Sequence, residues 1–405
     1  MSRLEELIQQ YCPDGVEYKR LGDIATLIRG GNFQKKDFTD SGVPCIHYGQ
    51  IYTHFGIHTT STIKYISPEV ARKSKIAKTN DIVMAITSEN VNDVGKCVAW
   101  LGDEDIAVSG HTAIIQHKQN AKYLSYYFHT SDFFTQKKRL AHGTKVIEIS
   151  PKALEDVLVP VPPLPVQEEI VRILDNFAEL QAELQAELQK RLQQYNYYRD
   201  KLLSFNDLNG GGYAVSIEWK KLGEIAQYAK ERVDSSLIST HNYVSVENLL
   251  QNREGKKDAS TVPSGSLIKY EKGDILIGNI RPYLQKIWLA DLDGGTNGDV
   301  LTIKITDKNI TPSYLYHILA SDAFFLYDMS YAKGAKMPRG DKTAVMNYIV
   351  PIPPLAEQKR IVDILDRFHA LTTDITAGLP AEIEARRKQY EYYRDRLLTF
   401  NRKNV

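Results

Sequence analysis

An internal repeat is the feature that most restricts the fold of this 405-residue chain. Residues 195–205 return as residues 390–400, with the shared pattern Tyr-x-Tyr-Tyr-Arg-Asp-x-Leu-Leu-x-Phe. A second matched block lies upstream of each copy, at residues 159–164 and 350–355. Both blocks lead into the pattern Pro-Pro-Leu-x-x-Gln. A duplicated chain can fold into a pseudo-two-fold monomer that presents two comparable surfaces. That arrangement suits a bipartite target better than a single catalytic cleft.

Shorter matches extend the repeat, but the segments between them differ. The matched pairs are residues 17–25 with 218–226, 80–83 with 273–276, 131–134 loosely with 321–325, and 141–145 with 332–336. The scaffold is therefore duplicated while the surfaces are not, so the two domains should differ in what they recognise. The alignment predicts a first domain, a first spacer helix, a second domain and a second spacer helix at residues 1–158, 159–208, 209–349 and 350–405.

Each domain is predicted to have mixed α and β structure. Short apolar runs bounded by Gly, Asn and Asp are typical of strands. Such runs occur at residues 81–86, 113–116, 274–277 and 301–305. Residues 123–140 and 312–329 are each predicted to form a helix packed on those strands. Residues 1–10 predict a short amphipathic helix that lacks the apolar centre of a signal peptide.

The segments after the Pro-Pro pairs predict long helices. Residues 166–205 contain no Gly or Pro, and their apolar residues recur every three or four positions. A helix of about 40 residues spans ~60 Å and needs a partner helix along much of its length. The second copy supplies that partner, and the intervening domain favours antiparallel pairing. The predicted fold is therefore α+β, with two mixed domains separated by two long helices that form an antiparallel coiled coil.

Glycine and proline mark two departures from this regular plan. Gly378 and Pro380 predict a kink or a break in the second helix, with Pro380 in a new first turn, because proline removes a helical hydrogen bond. Residues 209–212, Asn-Gly-Gly-Gly, predict a flexible joint into the second domain.

Charge and cysteine content argue against several classes of protein. The net charge of +1 gives no general basic excess, so nucleic-acid binding would need local patches or a partner. Cys12, Cys45 and Cys97 form no Cys-x-x-Cys pair, which argues against a disulfide framework or a zinc knuckle and fits a reducing cytoplasm. No run approaches ~18 apolar residues, so no transmembrane helix is expected.

The two helix patterns, Pro-Pro-Leu-x-x-Gln and Tyr-x-Tyr-Tyr-Arg-Asp, each following a variable domain, resemble the specificity subunit of type I restriction–modification enzymes. The resemblance covers the whole chain. It implies that two target-recognition domains each read one half of a bipartite, asymmetric double-stranded DNA site. It also implies that the helix pair docks two methyltransferase subunits, with motor–endonuclease (restriction) subunits joining for cleavage. The chain itself would perform no chemistry, so S-adenosylmethionine, ATP and Mg are expected only on the partners.

A short repeat inside the first spacer helix fits a measuring role. Gln-Ala-Glu-Leu occurs at residues 181–184 and again at 185–188. Four residues extend a helix by ~6 Å and rotate it only slightly past a full turn, so the apolar stripe survives the loss of one unit. On DNA, ~6 Å corresponds to one to two base pairs. We predict that the number of units helps to set the gap between half-sites; the alternative is a helix of arbitrary length.

Candidate DNA-reading residues are those that can hydrogen-bond to base edges or hold phosphates. The resemblance adds weight to the segment at residues 279–286, which is similar to a stretch common in target-recognition domains. The first-domain candidates are Arg29, Asn32, Gln34, Lys35, Lys36, His47, Gln50, Ser88, Asn90, His111 and Lys145. The second-domain candidates are Asn248, Asn279, Arg281, Tyr283, Lys286, Asn297, Lys336 and Arg339.

Two sets of repeated residues allow more than one interpretation. Lys145 and Lys336 match across the repeat, which favours a shared phosphate contact or a structural role where domain and helix join. The helix-end residues could dock a methyltransferase, because interfaces are rich in aromatic and Arg residues, or could seal the ends of the helix pair. These helix-end candidates are Tyr195, Tyr198, Arg199, Tyr390, Tyr393 and Arg394.

The sequence leaves two alternative functions open. Residues 13–19 imitate the Pro-Asp…Glu-x-Lys pattern of metal-dependent nucleases, but only two residues separate Asp14 from Glu17, and the second half lacks the Pro-Asp pair. The long helices could also form a protein scaffold for which DNA is irrelevant. No metal ligand set and no catalytic residue is predicted.

Overall fold

A computed structural model describes residues 2–205, 217–373 and 378–403 of the chain. The predicted joint at residues 209–212 lies outside these residues. The chain divides into two compact units, Met1–Glu183 with Glu384–Val405, and Leu184–Ile383. Each unit therefore contains one globular domain together with a part of both spacer helices. The four-part division made from the sequence is a different partition and stays a prediction.

The first unit contains seven helices before the long spacer helix, within the described residues. They are α1 Arg3–Tyr11, α2 Leu21–Ile24, α3 Tyr48–Thr53, α4 Pro68–Ala71, α5 Ala121–Tyr127, α6 Ser131–Leu140 and α7 Pro151–Leu154. The strands are β1 Tyr18–Arg20, β2 Ala25–Arg29, β3 Phe38–Thr39, β4 Val43–Ile46, β5 His58–Thr59, β6 Lys64–Ile66, β7 Lys75–Ala77, β8 Ile82–Ala85, β9 Thr87–Ser88, β10 Cys97–Trp100, β11 Ile106–Val108, β12 Thr112–His117, β13 Ile147–Glu148 and β14 Leu158–Pro160. A 3-10 turn lies at Lys35–Asp37.

Two five-stranded sheets organise the first domain. Their strand orders are β2-β12-β8-β10-β5 and β3-β6-β4-β11-β7, and β1-β14 and β9-β13 form small antiparallel pairs. The helices α5 and α6 contribute fully buried side chains such as Tyr123 and Phe133 to a core cluster that also contains Ile82 and Ile115 of the first sheet. The predicted amphipathic N-terminal helix is α1, whose Leu4 joins the same cluster.

The long helix α8 Leu164–Ser204 runs from the first unit into the second. The other helices are α9 Leu222–Ile225, α10 Pro312–Leu319, α11 Asp322–Tyr331, α12 Lys342–Met346, α13 Leu355–Thr373 and α14 Leu379–Leu397. The strands are β15 Glu218–Lys221, β16 Ala226–Tyr228, β17 Arg232–Asp234, β18 Tyr243–Val244, β19 Ser266–Tyr270, β20 Ile275–Gly278, β21 Ile287–Leu289, β22 Gly294–Thr296, β23 Val300–Ile305 and β24 Ile349–Ile352. 3-10 turns lie at Ser235–Leu237 and Pro282–Leu284.

The sheets of the second domain repeat those of the first. The order β16-β23-β20-β21 reproduces β2-β12-β8-β10, and β15-β24 reproduces β1-β14. A further sheet, β17-β19-β22-β18, has four strands where the first domain has five. The predicted fold class, two mixed α and β domains joined by long helices, is confirmed. The predicted strands at residues 81–86, 113–116, 274–277 and 301–305 correspond to β8, β12, β20 and β23.

The single helices predicted at residues 123–140 and 312–329 are wrong, because each is a pair of helices. The Thr130 hydroxyl accepts a hydrogen bond from Phe133 N and starts α6, and the Ser321 hydroxyl does the same for Phe324 N and starts α11. A capping hydroxyl satisfies an orphan helix amide and so favours a new start inside an apolar pattern. When the two helices are aligned on these caps, Ser131 is equivalent to Asp322. This alignment is shifted by one residue from the loose sequence match.

The predicted spacer helices are confirmed. Helix α8 has 41 residues, and α14 begins at Leu379 with Pro380 in its first turn. Each unit contains an equivalent aromatic contact between α8 and the second spacer helix. Phe177 stacks on Tyr393 at 5.6 Å in the first unit, and Phe368 stacks on Tyr198 at 5.9 Å in the second. In the second unit, Tyr195 contacts His369 while the later Tyr198 contacts the earlier Phe368, so α8 and α13 are antiparallel.

The Gln of each Pro-Pro-Leu-x-x-Gln pattern ties the spacer helix to its domain. Gln167 Oε1 accepts a hydrogen bond from Asn120 N at 3.0 Å, and its Nε2 donates to Pro162 O at 2.7 Å. Gln358 Oε1 accepts from Thr311 N at 3.0 Å. Both side chains are fully buried. The repeated glutamine is therefore explained by backbone groups at the start of α5 and α10 that only a long amide side chain satisfies.

Over the described residues, none of the helices is both long enough and apolar enough to cross a membrane.

Candidate nucleic-acid interface

In the first domain, the predicted loops converge at one edge of a sheet. Strand β12 is antiparallel to both β2 and β8, and its first residues pair with their last: Ala113 with Arg29, and Thr112 with Ala85. The loops after β2 and β8 and the loop before β12 therefore emerge together. The side chain of His111, just before β12, is exposed and its ring centroid lies 5.0 Å from that of Tyr48 at the start of α3.

A hairpin at residues 142–148, which contains β13, adds a fourth element to this edge. Strand β13 pairs with β9, with Ile147 opposite Ser88. The side chain of Arg29, which is half exposed, reaches the same hairpin through an ion pair of 2.9 Å with Glu148. The segment at residues 32–36 exposes the remaining first-loop candidates. The edge therefore brings together cations and amides from four loops, the mixture that phosphate and base contacts require.

The hairpin is built twice with the same geometry. His142 and Glu148 exchange backbone hydrogen bonds of 3.0 and 2.9 Å, and Lys333 and Arg339 exchange two of 2.9 Å. Each hairpin turns at a glycine with positive φ, Gly143 at +111° and Gly334 at +106°, a conformation in which a side chain would be strained. Lys145 and Lys336 lie exposed near the two tips. The sequence match between these lysines thus reflects equivalent positions on one structural element.

In the second domain the corresponding loops also meet. Gly278, the last residue of β20, pairs with Val300, the first of β23. The loop after β20 is bonded to the hairpin, since Arg281 N donates to Pro338 O at 2.7 Å. Arg339 of the hairpin forms an ion pair of 3.2 Å with Asp299 in the loop before β23. These three loops therefore form a continuous edge in the second domain, and we call this edge and its first-domain counterpart the candidate reading edges.

The exposure of the candidates divides them into three sets. Four are buried: His47, Gln50, Asn248 and Asn279. Three are partly exposed: Ser88, Lys286 and Asn297. The others are exposed: Arg29, Asn32, Gln34, Lys35, Lys36, Asn90, His111, Lys145, Arg281, Tyr283, Lys336 and Arg339.

Three of the buried candidates, His47, Gln50 and Asn248, have structural partners, whereas Asn279 Oδ1 has no hydrogen-bond partner among the described residues. His47 Nδ1 accepts from Gly49 N at 3.1 Å, Gln50 Oε1 accepts from His47 N at 2.7 Å, and together they cap α3. Burial lowers the pKa of His47 to about 4, with smaller effects from neighbouring Lys35 and His111, so its ring is neutral near pH 7. Asn248 donates to Tyr243 O and Lys257 O, each at 2.9 Å. These side chains therefore stabilise the loops from within.

Two buried charges behind the reading edges were missed from the sequence. Lys137 of α6 donates to Asn92 O at 2.9 Å and Val94 O at 2.6 Å, and so holds the loop after β9. Asp328 occupies the equivalent position of α11, and neither of its carboxylate oxygens has a hydrogen-bond partner among the described residues. Its Oδ1 and that of Asn279 would lie 2.4 and 2.8 Å from a Cβ added to Gly340, so they face the same point. Lys137 and Asp328 become equivalent positions when α6 and α11 are aligned on their capping residues, Thr130 and Ser321.

The helix-end candidates lie against the helix pair. Arg199 and Tyr195 are buried, and the Arg199 guanidinium lies 5.6 Å from the Tyr195 ring centroid, as Arg394 lies 5.8 Å from that of Tyr390. The middle tyrosines of the repeat, Tyr197 and Tyr392, are instead about 60% exposed. The candidates Tyr198 and Tyr393 stack on phenylalanines of the partner helix. In both units the arginine and the first tyrosine of the pattern pack inward, while the middle tyrosine, and in the first copy Tyr198 as well, is exposed.

The nuclease-like segment is packed as a structural strand end. Val16 is fully buried and bridges Arg402, while Val16 N donates to Asn401 O at 2.8 Å. Tyr18 and Lys19 pair with β14. Across the part of the chain that the structure describes, no group of three or more His, Cys, Asp or Glu side chains is placed to hold a metal ion.

A family model described as "Type I restriction modification DNA specificity domain" matches residues 13–194 and again residues 215–385. The two matches cover most of the chain, one in each half, and end before the Tyr-x-Tyr-Tyr-Arg-Asp segments at residues 195–205 and 390–400.

Individual relatives and solved structures agree with the family match. The "Type I restriction enzyme EcoR124I/EcoR124II specificity subunit" of Escherichia coli is 32% identical over 260 residues, which cover 58% of this chain and 60% of that protein. A putative type I restriction enzyme specificity subunit of Haemophilus influenzae is 31% identical over 72% of this chain and 76% of its own length. A chain from a structural study of complex assembly and conformational transition of the type I R-M system shares the fold, with a TM-score of 0.63, 16% identity, and coverage of 96% of this chain and 98% of that one. The type I restriction–modification S subunit from M. genitalium has a TM-score of 0.50 and 13% identity, over 95% of this chain and 96% of that chain.

Proposed function

The chain belongs to the type I restriction–modification DNA specificity family, and we propose that each of its two domains reads one half of a bipartite, asymmetric DNA site. One observation carries the proposal. The same reading edge is built twice, from equivalent strand ends and an equivalent lysine-tipped hairpin, but with different side chains in the loops between them.

The shared and the different parts of the edge suit different contacts. Lysine at both hairpin tips fits a phosphate contact, which fixes register and carries no sequence information. The loops differ: the first domain offers Arg29 and His111, and the second offers Arg281 and Tyr283, all exposed. Arg and Asn or Gln side chains discriminate bases in the major groove. Two unlike sets of readers on one framework favour two unlike half-sites.

The two domains act within a larger complex in this proposal. Two methyltransferase subunits dock on the helix pair and supply S-adenosylmethionine chemistry, and motor–endonuclease (restriction) subunits with ATP and Mg join for cleavage. Tyr197 and Tyr392 support this assignment because they are exposed at equivalent positions, as a docking surface for two like partners requires. Tyr198 and Tyr393, which stack on Phe368 and Phe177 of the partner helix, border this surface. The near-neutral net charge agrees with partners that supply part of the phosphate contact.

A methylome map tests the proposal. Cells that express the chain with its methyltransferase should methylate adenine within one bipartite motif whose halves differ and are separated by a fixed gap. Cells with the methyltransferase alone serve as the control and should lack the motif.

Binding and cleavage assays separate the two alternative functions. The complex should bind a duplex carrying the mapped motif with an affinity that falls steeply as salt rises. A chain that binds methyltransferase but never DNA would be a protein scaffold. Cleavage of that duplex by the isolated chain with magnesium would instead identify a nuclease.

A further inference from the structure

Backbone strain is concentrated around the loop that follows β20 in the second domain, at residues 279–286, which we call the reading loop. Six described residues other than glycine have positive φ, and four of them lie here: Asn252, Arg253, Arg281 and Gln285, with φ between +51° and +66°. The left-handed conformation is unfavourable for a residue with a side chain, so it persists only where surrounding contacts enforce it. The loop that carries Arg281 and Tyr283 therefore needs support from elsewhere in the unit.

A neighbouring loop supplies the first layer of support. Asn252 N donates to Leu284 O at 3.0 Å, and Arg253 N donates to Gln285 O at 3.0 Å. Residues 251–254 thus hydrogen-bond directly to the backbone of the reading loop. Both loops must keep their left-handed residues for these two bonds to form, so the loops stabilise one another.

The carboxylate of Asp322, the first residue of α11, joins both loops. It accepts from the Arg253 guanidinium, and it accepts from Gln285 Nε2 at 3.3 Å. Burial raises the pKa of Asp322, but the facing Arg253 and Arg199 outweigh burial, so the pKa lies below its usual value and the carboxylate stays ionised. The Arg253 side chain is also fixed through its Nε, which donates to Ala320 O at 2.5 Å.

The same carboxylate contacts the spacer helix within the unit. Arg199 of α8 is fully buried, and its Nη2 lies 3.1 Å from Asp322 Oδ2. A buried guanidinium is costly unless it is paired, so the position of α8 at this point is coupled to that of Asp322. An unbroken series of contacts therefore runs from α8 through Asp322 to Gln285 and the reading loop.

We propose that Asp322 is a positioning residue through which spacer helix α8 fixes the conformation of the second-domain reading loop. The inference rests on the proposed function only for the statement that this loop reads DNA. Asp322 touches no base; it holds the backbone that presents Arg281 and Tyr283. Movement of α8 in this unit would change the reading of one half-site.

The first domain offers a matched control at the equivalent position. Ser131 stands where the second domain has Asp322, and its hydroxyl donates to Asp395, next to the equivalent arginine Arg394. Ser131 N also donates to Asp395 at 3.3 Å, and Thr135 of the same helix donates to Ser131 O. Among the described residues, these hydrogen bonds join Ser131 to Asp395 and to its own helix rather than to a first-domain reading loop. Ser131→Ala removes a helix-junction contact of the same kind without touching a reading loop.

The experiment uses the full-length chain and two variants. Asp322→Asn removes the central charge, and Gln285→Asn shortens the side chain that reaches it while tolerating the left-handed backbone. The second variant leaves the two arginines paired, so it stays informative if Asp322→Asn fails to fold. Amide hydrogen exchange should be faster at residues 251–254 and 281–286 in both variants, and unchanged at these positions in Ser131→Ala.

The DNA readout is the methylome map of cells that express each variant with the methyltransferase. Both variants should lose discrimination at one half-site on the order of tenfold, which is the contribution of a single base contact, and keep it at the other. Unchanged loop exchange in both variants, or equal relaxation of both half-sites, overturns the positioning role. A parent chain that produces no defined methylated motif overturns the proposed function instead, while the exchange result still decides whether Asp322 holds the loop.

Discussion

The buried carboxylate of Asp328 gives the second domain a pH-dependent stability. Asp328 is 1% exposed, and burial, aided by Asp341, raises its pKa to about 6. In the unfolded chain an aspartate titrates near ~3.9, so the folded state binds the proton more tightly. The resulting stabilisation is present below pH 4 and is lost as the pH rises through about 6.

Replacement of Asp328 by asparagine should therefore stabilise the chain at pH 8 and have little effect at pH 3.5. The neutral amide imitates the protonated acid, and a pKa difference of about two corresponds to a gain of up to ~3 kcal/mol in the free energy of unfolding. Denaturant unfolding at the two pH values measures it, with exposed Asp291→Asn as the control that should change nothing. An equal effect at both pH values would contradict the assignment.

Two exposed arginines provide reciprocal tests of base reading. Arg281→Ala should weaken binding to duplexes through one half-site, and Arg29→Ala through the other, because each removes a side chain from a different reading edge. A good bidentate contact to a base contributes ~1–3 kcal/mol of discrimination. Competition binding with duplexes mutated in one half-site at a time measures the loss. Binding by either variant that equals the parent's, or a loss shared by both half-sites, would argue against separate readers.

At the scale of single elements, the buried glutamine of each spacer helix is the clearest target. Gln358 accepts from Thr311 N and donates to Asn309 O at 2.6 Å and to Pro353 O at 2.8 Å. Gln358→Met fills a similar volume but leaves three backbone groups, at least one of them buried, without this partner, so the free energy of unfolding should fall by ~1–3 kcal/mol. Unfolding in denaturant measures this, and Gln185→Met on the exposed face of α8 should have little effect. Equal stability of the two variants would show that the amide is dispensable.

The elements differ in how far the sequence predicts them, and the reasons are physical. Helix α8 was predicted almost to its ends, because a three-to-four periodicity without Gly or Pro leaves few alternatives. The break before α6 was missed because Thr130, a capping residue, lies within an apolar pattern that continues on both sides. The sequence predicts His47 and Asn248 to be readers, because a polar residue near a strand end gives the same pattern whether it caps a turn or faces solvent. Asp322 gave no signal because its partners are 37 to 123 residues distant in the sequence.

For the whole molecule, α8 is the continuous helix that contributes residues to both compact units, and its length should be reflected in the DNA site. Deleting residues 181–184, one Gln-Ala-Glu-Leu unit, shortens the helix by ~6 Å and changes its rotation by only ~40°. The apolar stripe is kept, so the helix pair should still form. The gap between the two half-sites should then shrink by one to two base pairs, at ~3.4 Å per step.

Methylome maps of the deletion and of the parent measure that gap directly. The half-site sequences should not change, since no reading loop is altered, and Glu183→Gln, which keeps the helix length, should reproduce the parental gap. Duplicating the unit should lengthen the gap by the same amount. An unchanged gap in a deletion variant that still methylates both half-sites would mean that α8 joins the two readers without measuring the distance between them.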